Sequence, residues 1–259
     1  MGHDHEGQRV SRRRMITGLS LGLGTLLGAS SASAGVRTGG SAALFAGARA
    51  CRLTPAAAKG PYYFDSDKIR SDIREGKPGV RLRLAFRVQE SETCRPLPAA
   101  VVEIWQCDAA GIYSGAEAAS IKATAGGPPS GDPGPDPEDW ADMKPADTTR
   151  YLRGAQVTNG AGAVEFTTIW PGWYPGRTVH VHVMVHFSDK RVLSTQLMFD
   201  EALNAKVLAR PPYSGHPGRD TLNSGDSDYR DDMLVKVVED GDGYLGTIVL
   251  AADADRDGG

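Results

Sequence analysis

An all-β fold, an antiparallel β-sandwich with long loops and one short helix, is predicted by three features of the sequence. The chain has 32 glycines and 16 prolines among 259 residues, so its apolar runs are cut short by turns. Residues 81–88 alternate without a fault: Leu82, Leu84, Phe86 and Val88 fall on one side, Arg81, Arg83 and Arg87 on the other. That period of two marks a half-buried strand. Similar short runs recur between turn signals down the chain, the spacing of a sandwich rather than a helical bundle.

The elements follow in order. Thr54, with Pro55 behind it, reads as the N-cap of a helical turn over 54–58. Residues 99–106 follow the first strand across a polar turn holding Pro96 and Pro98, and the two read as a hairpin. Residues 154–158 and 164–169 flank Asn159-Gly160, a pair that accepts positive φ, and read as a second hairpin. Runs at 178–187, 192–199, 234–238 and 244–250 complete the strands. Asp200 caps the one expected helix, 201–210, which Pro211-Pro212 stops. Residues 114–147 and 211–230 carry neither period, and loops this long in a compact domain are functional or disordered.

Composition removes several classes of function. At 40% hydrophobic and 24% charged the chain is that of a globular protein. No apolar run reaches the roughly 18 residues a membrane-spanning helix needs. A formal charge of −3 with no long basic run excludes nucleic acid as a partner.

The N-terminus is an address. Ser11-Arg12-Arg13-Arg14-Met15-Ile16 precedes a weakly apolar, glycine-bearing stretch, and Ala32-Ser33-Ala34 offers small residues for cleavage. This resembles a twin-arginine export signal. Four segments result: the signal at 1–34, a flexible lead-in at 35–50, one domain at 51–253 and an acidic tail at 254–259. Replacing Arg12 and Arg13 by lysine is expected to trap the precursor in the cytoplasm, because the export receptor reads the arginines themselves. Cell fractionation measures this, and unchanged export would mean another route.

The three cysteines are Cys51, Cys94 and Cys107. In an oxidising compartment one disulfide and one free thiol are expected. Cys94 and Cys107 stand at opposite ends of an expected strand, too far apart to pair. Cys51 is then one half of the bridge, with Cys94 favoured over Cys107 as the other. No pair has the spacing of a zinc site.

The sharpest local feature is Val179-His180-Val181-His182-Val183. On a strand His180 and His182 share a face, two rises of about 3.3 Å apart, while the valines face the core. His186 shares that face but lies about 13 Å beyond His182. Taken alone, such a pair is more often two ordinary strand histidines than a metal site. Upstream, Trp170-Pro171-Gly172-Trp173-Tyr174-Pro175-Gly176-Arg177 must bend sharply, which projects Tyr174 and Arg177 beside the histidines. Tyr113 ends a further run, Val102-Glu103-Ile104-Trp105-Gln106-Cys107, followed by a glycine turn.

Together these residues resemble the intradiol ring-cleavage dioxygenases, the family of catechol and protocatechuate dioxygenases. That family's pattern is a tyrosine shortly after a V-E-I-W-Q/H strand, then P-G-x-Y, an arginine and H-x-H, all present here in order. The resemblance takes in Leu53-Thr54-Pro55, Gly60-Pro61-Tyr62-Tyr63 and Thr195-Gln196-Leu197-Met198-Phe199, so it spans nearly the whole mature chain. The exported subgroup is the nearest match. The long helical segment that cytoplasmic catechol dioxygenases carry ahead of the sandwich is missing.

The resemblance implies a non-haem Fe(III) held by Tyr113, Tyr174, His180 and His182. It implies catalytic roles for Tyr174, for Arg177 as a fixed cation beside the substrate, and for Gln196 as their neighbour. Its reaction would cleave a catechol-type ring between the two hydroxylated carbons with O2 to a muconate-type diacid. The donor set is chemically apt: Fe(III) is a hard cation, phenolate is a hard anion, and the 2-His-1-carboxylate set of ferrous oxygenases is absent. Loop 114–147 would be the lid. The competing classes are an exported β-sandwich binding module without catalysis, and a copper or zinc enzyme on the same scaffold.

Overall fold

The computed structural model describes Phe45 and residues 52–125, 142–188 and 190–255. The expected signal at 1–34, all of the lead-in except Phe45, and Cys51 lie outside the described residues. Eight strands dominate: β1 Arg81–Glu90, β2 Val101–Trp105, β3 Arg153–Val157, β4 Ala163–Ile169, β5 His180–Phe187, β6 Lys190–Met198, β7 Lys236–Asp240 and β8 Gly243–Ala252. They form two four-stranded sheets, ordered β4-β1-β8-β7 and β3-β2-β5-β6. The sheets face each other across one apolar core. Leu82, Leu84, Phe86 and Val88 of β1 enter it from one side, and Val181, Val183 and Val185 of β5 from the other. Phe86 meets Phe166 of β4 edge-on at 5.8 Å, a favourable aromatic geometry.

The expected sandwich needs one correction. The second sheet is antiparallel throughout, but β1 and β8 run parallel, so the first sheet is mixed. These strands stand at opposite ends of the domain sequence, and a parallel pair so distant leaves no local turn signal.

Both expected hairpins cross between the sheets instead. β1 pairs with β4 and β8, while β2, buried on both faces, pairs with β3 and β5. β3 lies in the second sheet and β4 in the first. The chain turns at Asn159, whose amide bonds the Ala163 carbonyl at 3.1 Å, and passes over the edge of the sandwich. The later pairs, β5–β6 and β7–β8, are true hairpins.

No helical turn forms at Thr54. Residues 54–58 are extended and strap the sheets together. Thr54 bonds Ala251 twice, its amide to the carbonyl at 3.0 Å and its hydroxyl from the amide at 2.9 Å. The Ala57 amide donates to Ser194 at 2.9 Å. The cap-forming side chain serves a neighbouring strand, because the chain's own backbone donors already have sheet partners.

Two α-helices occur among the described residues, not one. α1 Glu117–Thr124 lies inside the stretch expected to be loop, and α2 Glu201–Leu208 is the expected helix. The Asp200 carboxylate caps α2, accepting from the amides of Ala202 and Leu203 at 2.9 and 3.1 Å. No helix among the described residues is long and apolar enough to cross a membrane.

Phe45 is the one described residue of the lead-in. It is buried against Ala85, Leu245 and Val249 on the outer face of the first sheet, under the Arg87 guanidinium at 4.9 Å. At the other end Ala254 packs against the main core. Cys94 is disulfide-bonded and Cys107 is a free, buried thiol.

Candidate active site

The second sheet has its valines inward, so its other face carries His180, His182 and Met184 of β5, Trp105 of β2 and Gln196 of β6. Register aligns a row across it: Arg153 opposite Trp105, Trp105 opposite His182, His182 opposite Gln196. Residues 58–64, α1 and Met143 cover this face with a second apolar cluster of Tyr62, Tyr63, Trp105, Tyr113 and Tyr174.

Both tyrosines arrive on built turns. Asp108 Oδ1 accepts from the amides of Ala110 and Ile112, each at 3.0 Å, and folds the chain after β2 back towards the sheet. The Tyr113 amide then donates to Ser120 Oγ of α1 at 3.1 Å. The Tyr174 segment lies directly on this turn. The Gly172 amide donates to the Asp108 carbonyl at 3.1 Å, and a Cβ at Gly172 would stand 2.3 Å from that oxygen, so no other residue fits. Gly60 has φ +70, and a Cβ there would come 3.2 Å from His182 Cε1; glycine lets the covering strap touch the histidine.

Four polar atoms converge. From His180 Nε2 the distances are 3.4 Å to Tyr113 Oη, 3.3 Å to Tyr174 Oη and 3.2 Å to His182 Nε2. His180 Nδ1 donates to the Thr178 carbonyl at 2.7 Å, which fixes the tautomer and leaves Nε2 a free lone pair aimed into the cluster. His182 is stacked on Trp105, 4.9 Å between centroids and 2° between planes. His186 stands apart, 4.0 Å from Glu103.

The electrostatics suit cation binding. Burial, with Arg177 adding, pulls His180 down to about 3. Burial and then His180 hold His182 well below the usual imidazole range. Both rings are therefore neutral near pH 7, as metal ligands must be. Burial pushes both phenols up; Tyr174 adds to the rise at Tyr113, whereas the Arg177 charge opposes it at Tyr174. Tyr113 is wholly buried and Tyr174 is 8% exposed.

Arg177 and Gln196 meet, Arg177 Nη2 donating to Gln196 Oε1. Their partners escape sequence reasoning. Arg177 Nε donates to Asp226 at 2.9 Å and its Nη2 lies 3.0 Å from Asp228. Gln196 Nε2 donates to the Ala58 carbonyl at 3.0 Å. The two aspartates come from loop 211–230, whose sequence has no period to mark them. Trp105 and Arg153 are also absent from the sequence expectation, although both sit in the register row of His182.

No protein-family model matches the chain, and no curated protein does. Among solved structures the chain is similar to an intradiol ring-cleavage dioxygenase from Tetranychus urticae, at 32% identity and TM-score 0.69 over 79% of this chain and 96% of that one. It is similar to the dioxygenase domain of a dioxygenase–carbohydrate-binding fusion from Streptomyces sp. SirexAA-E, at 27% identity and TM-score 0.55 over 78% and 99%. A chlorocatechol 1,2-dioxygenase from Pseudomonas putida shares the fold at 17% identity, with TM-score 0.52 over 78% and 72%.

Proposed function

The chain belongs to the intradiol ring-cleavage dioxygenases, and we propose that it is an exported, non-haem Fe(III) enzyme that opens catechol-type rings. Tyr113, Tyr174, His180 and His182 would hold the iron. The observation that carries this is the convergence of two phenol oxygens and two imidazole nitrogens. Among the described residues no three His, Cys, Asp or Glu come together, so the donors are of the phenol–imidazole kind that suits a hard ferric ion. Donors about 2 Å from a common centre stand roughly 3 Å apart, and the edges at His180 Nε2 are 3.2 to 3.4 Å. The fit is good. Two phenolates also offset two of the three ferric charges.

When bound, iron supplies an oxidising Lewis acid that makes a chelated catecholate reactive toward O2. Both atoms of O2 are inserted at the bond between the hydroxylated carbons, giving a muconate-type diacid with no further oxidant. The side chains do the rest. Tyr174, beside the Arg177 charge, accepts a proton from the incoming catechol hydroxyl. Tyr113 stays in place. Arg177, held by Asp226, Asp228 and Gln196, opposes negative charge developing on the ring oxygens. Tyr62, Tyr63 and Met143 exclude water.

The alternative of a binding module is not favoured, because buried polar groups facing one another in an apolar cluster need a partner. A visible spectrum of the purified protein tests the proposal. Tyrosinate-to-iron charge transfer should colour it red to brown, catechol should move the band, and oxygen should be consumed one for one with catechol. A colourless protein, or one carrying copper or zinc with no oxygen uptake, overturns it.

A further inference from the structure

Arg153 is a cation almost fully out of water, at 1% exposure. Burying an unpaired charge is costly, so its surroundings should explain it. The hydrogen-bond partners of its guanidinium are neutral. Nε donates to Ser114 Oγ at 2.9 Å, Nη2 donates to the Ser114 carbonyl at 2.9 Å, and Nη1 has no partner. Its flat face lies 4.1 Å over the Phe64 ring and 5.9 Å from the Tyr113 ring.

Both bonds fall on the residue that follows Tyr113. Ser114 Oγ passes the contact on to the Tyr151 carbonyl at 2.7 Å, so the fork ties the end of the Tyr113 turn to the start of β3. Burial lowers the Arg153 pKa to about 10, and the groups that resist this are Tyr113 first and then Glu103. Glu103 already accepts from Tyr63 Oη at 3.1 Å and faces His186. Tyr113, whose ring centre is 5.9 Å from the guanidinium, is the candidate iron donor beside this buried cation.

We propose that Arg153 is the positioning residue of Tyr113: its fork locks the Tyr113–Ser114 corner, and its buried charge stands beside that donor once iron is bound. This rests on the iron assignment above. It also gives the two phenols different tasks. Tyr113 is braced by a cation that is out of solvent. Tyr174 answers to Arg177, and is the phenol that has to take up and return a proton.

The test uses the iron-loaded full chain and its Arg153→Gln and Arg153→Lys variants, read by the charge-transfer band and by iron retention against a chelator. In Arg153→Gln the phenolate loses a nearby positive charge, its lone pairs rise in energy, and the band moves to longer wavelength. Iron retention falls by about 10- to 100-fold, as for other groups that orient a ligand. Arg153→Lys keeps the charge without the fork, so it retains the native band while iron retention falls less. A wild-type protein without the band overturns the iron assignment and this proposal together. A wild-type band that is unchanged in a folded Arg153→Gln, with native iron retention, overturns only the role of Arg153. Should Arg153→Gln not fold, Arg153→Lys decides: a native band with iron retention below wild type supports the proposal, and a displaced band or wild-type retention overturns it.

Discussion

Tyr174→Phe should keep its fold and lose its chemistry. The side chain's ring packs in the cluster with Tyr113 and Trp105, and phenylalanine preserves that contact. Only the hydroxyl goes, and with it one anionic donor and the proton acceptor for the substrate. Iron should still bind through Tyr113, His180 and His182, but more weakly. The charge-transfer band should fade and shift, because one of its two phenolate sources is gone. Turnover of catechol should fall by about 10²- to 10⁴-fold, the usual worth of a positioned proton-transfer group. Bound iron, visible absorbance and oxygen uptake measured on the same preparation decide the matter. Full colour with full activity would mean that Tyr174 is not a ligand.

Which residues face the core was readable from the sequence, while which strands are neighbours was not. The alternation of β1 and the Val-His-Val-His-Val run of β5 both predict the observed faces, because a period of two is a property of one strand alone. Pairing is a property of two. The run at 99–106 followed 81–88 across a short turn, yet β2 is buried on both faces and belongs in the other sheet. Asn159-Gly160 marked a turn correctly, but the turn leads over the sandwich edge and not back along the same sheet. Thr54 illustrates the same limit: its hydroxyl can cap its own segment or a neighbour's, and the neighbour, Ala251, is 197 residues away.

The site divides along the same line. Its four converging side chains lie in short motifs whose residue types already suggest metal chemistry. The aspartates that hold Arg177 do not. Asp226 reaches it across 49 positions, from a stretch of Gly, Ser and Asp that looks like any solvated loop. Helix α1 was hidden for a related reason. Its residues, EAASIKAT, include good helix formers, but glycine and proline on the far side of the stretch outweigh eight residues with no apolar stripe. What makes α1 useful is one hydroxyl, Ser120 Oγ, which accepts the Tyr113 amide.

Arg177→Leu should separate charge stabilisation from metal binding. Arg177 Nε bonds Asp226, whose side chain is 0% exposed, and that carboxylate also accepts from the Thr178 amide at 2.8 Å. Removing the guanidinium leaves the carboxylate buried with backbone donors but no cation. A stability loss of about 1–3 kcal/mol is expected in denaturant unfolding, the cost of stranding a charged hydrogen-bond partner. Iron content should hold, since none of the four converging atoms is touched. The band should persist, displaced only as far as the lost cation had lowered the energy of the Tyr174 lone pairs. Turnover should fall by about 10²- to 10³-fold in kcat, the measured worth of one fixed donor aimed at developing negative charge. Arg177→Lys returns the charge but not the planar fork that spans Asp226, Asp228 and Gln196, so it should recover stability more than rate. Iron loss in Arg177→Leu equal to that in Tyr174→Phe would show that the arginine builds the metal site and does not act on the substrate.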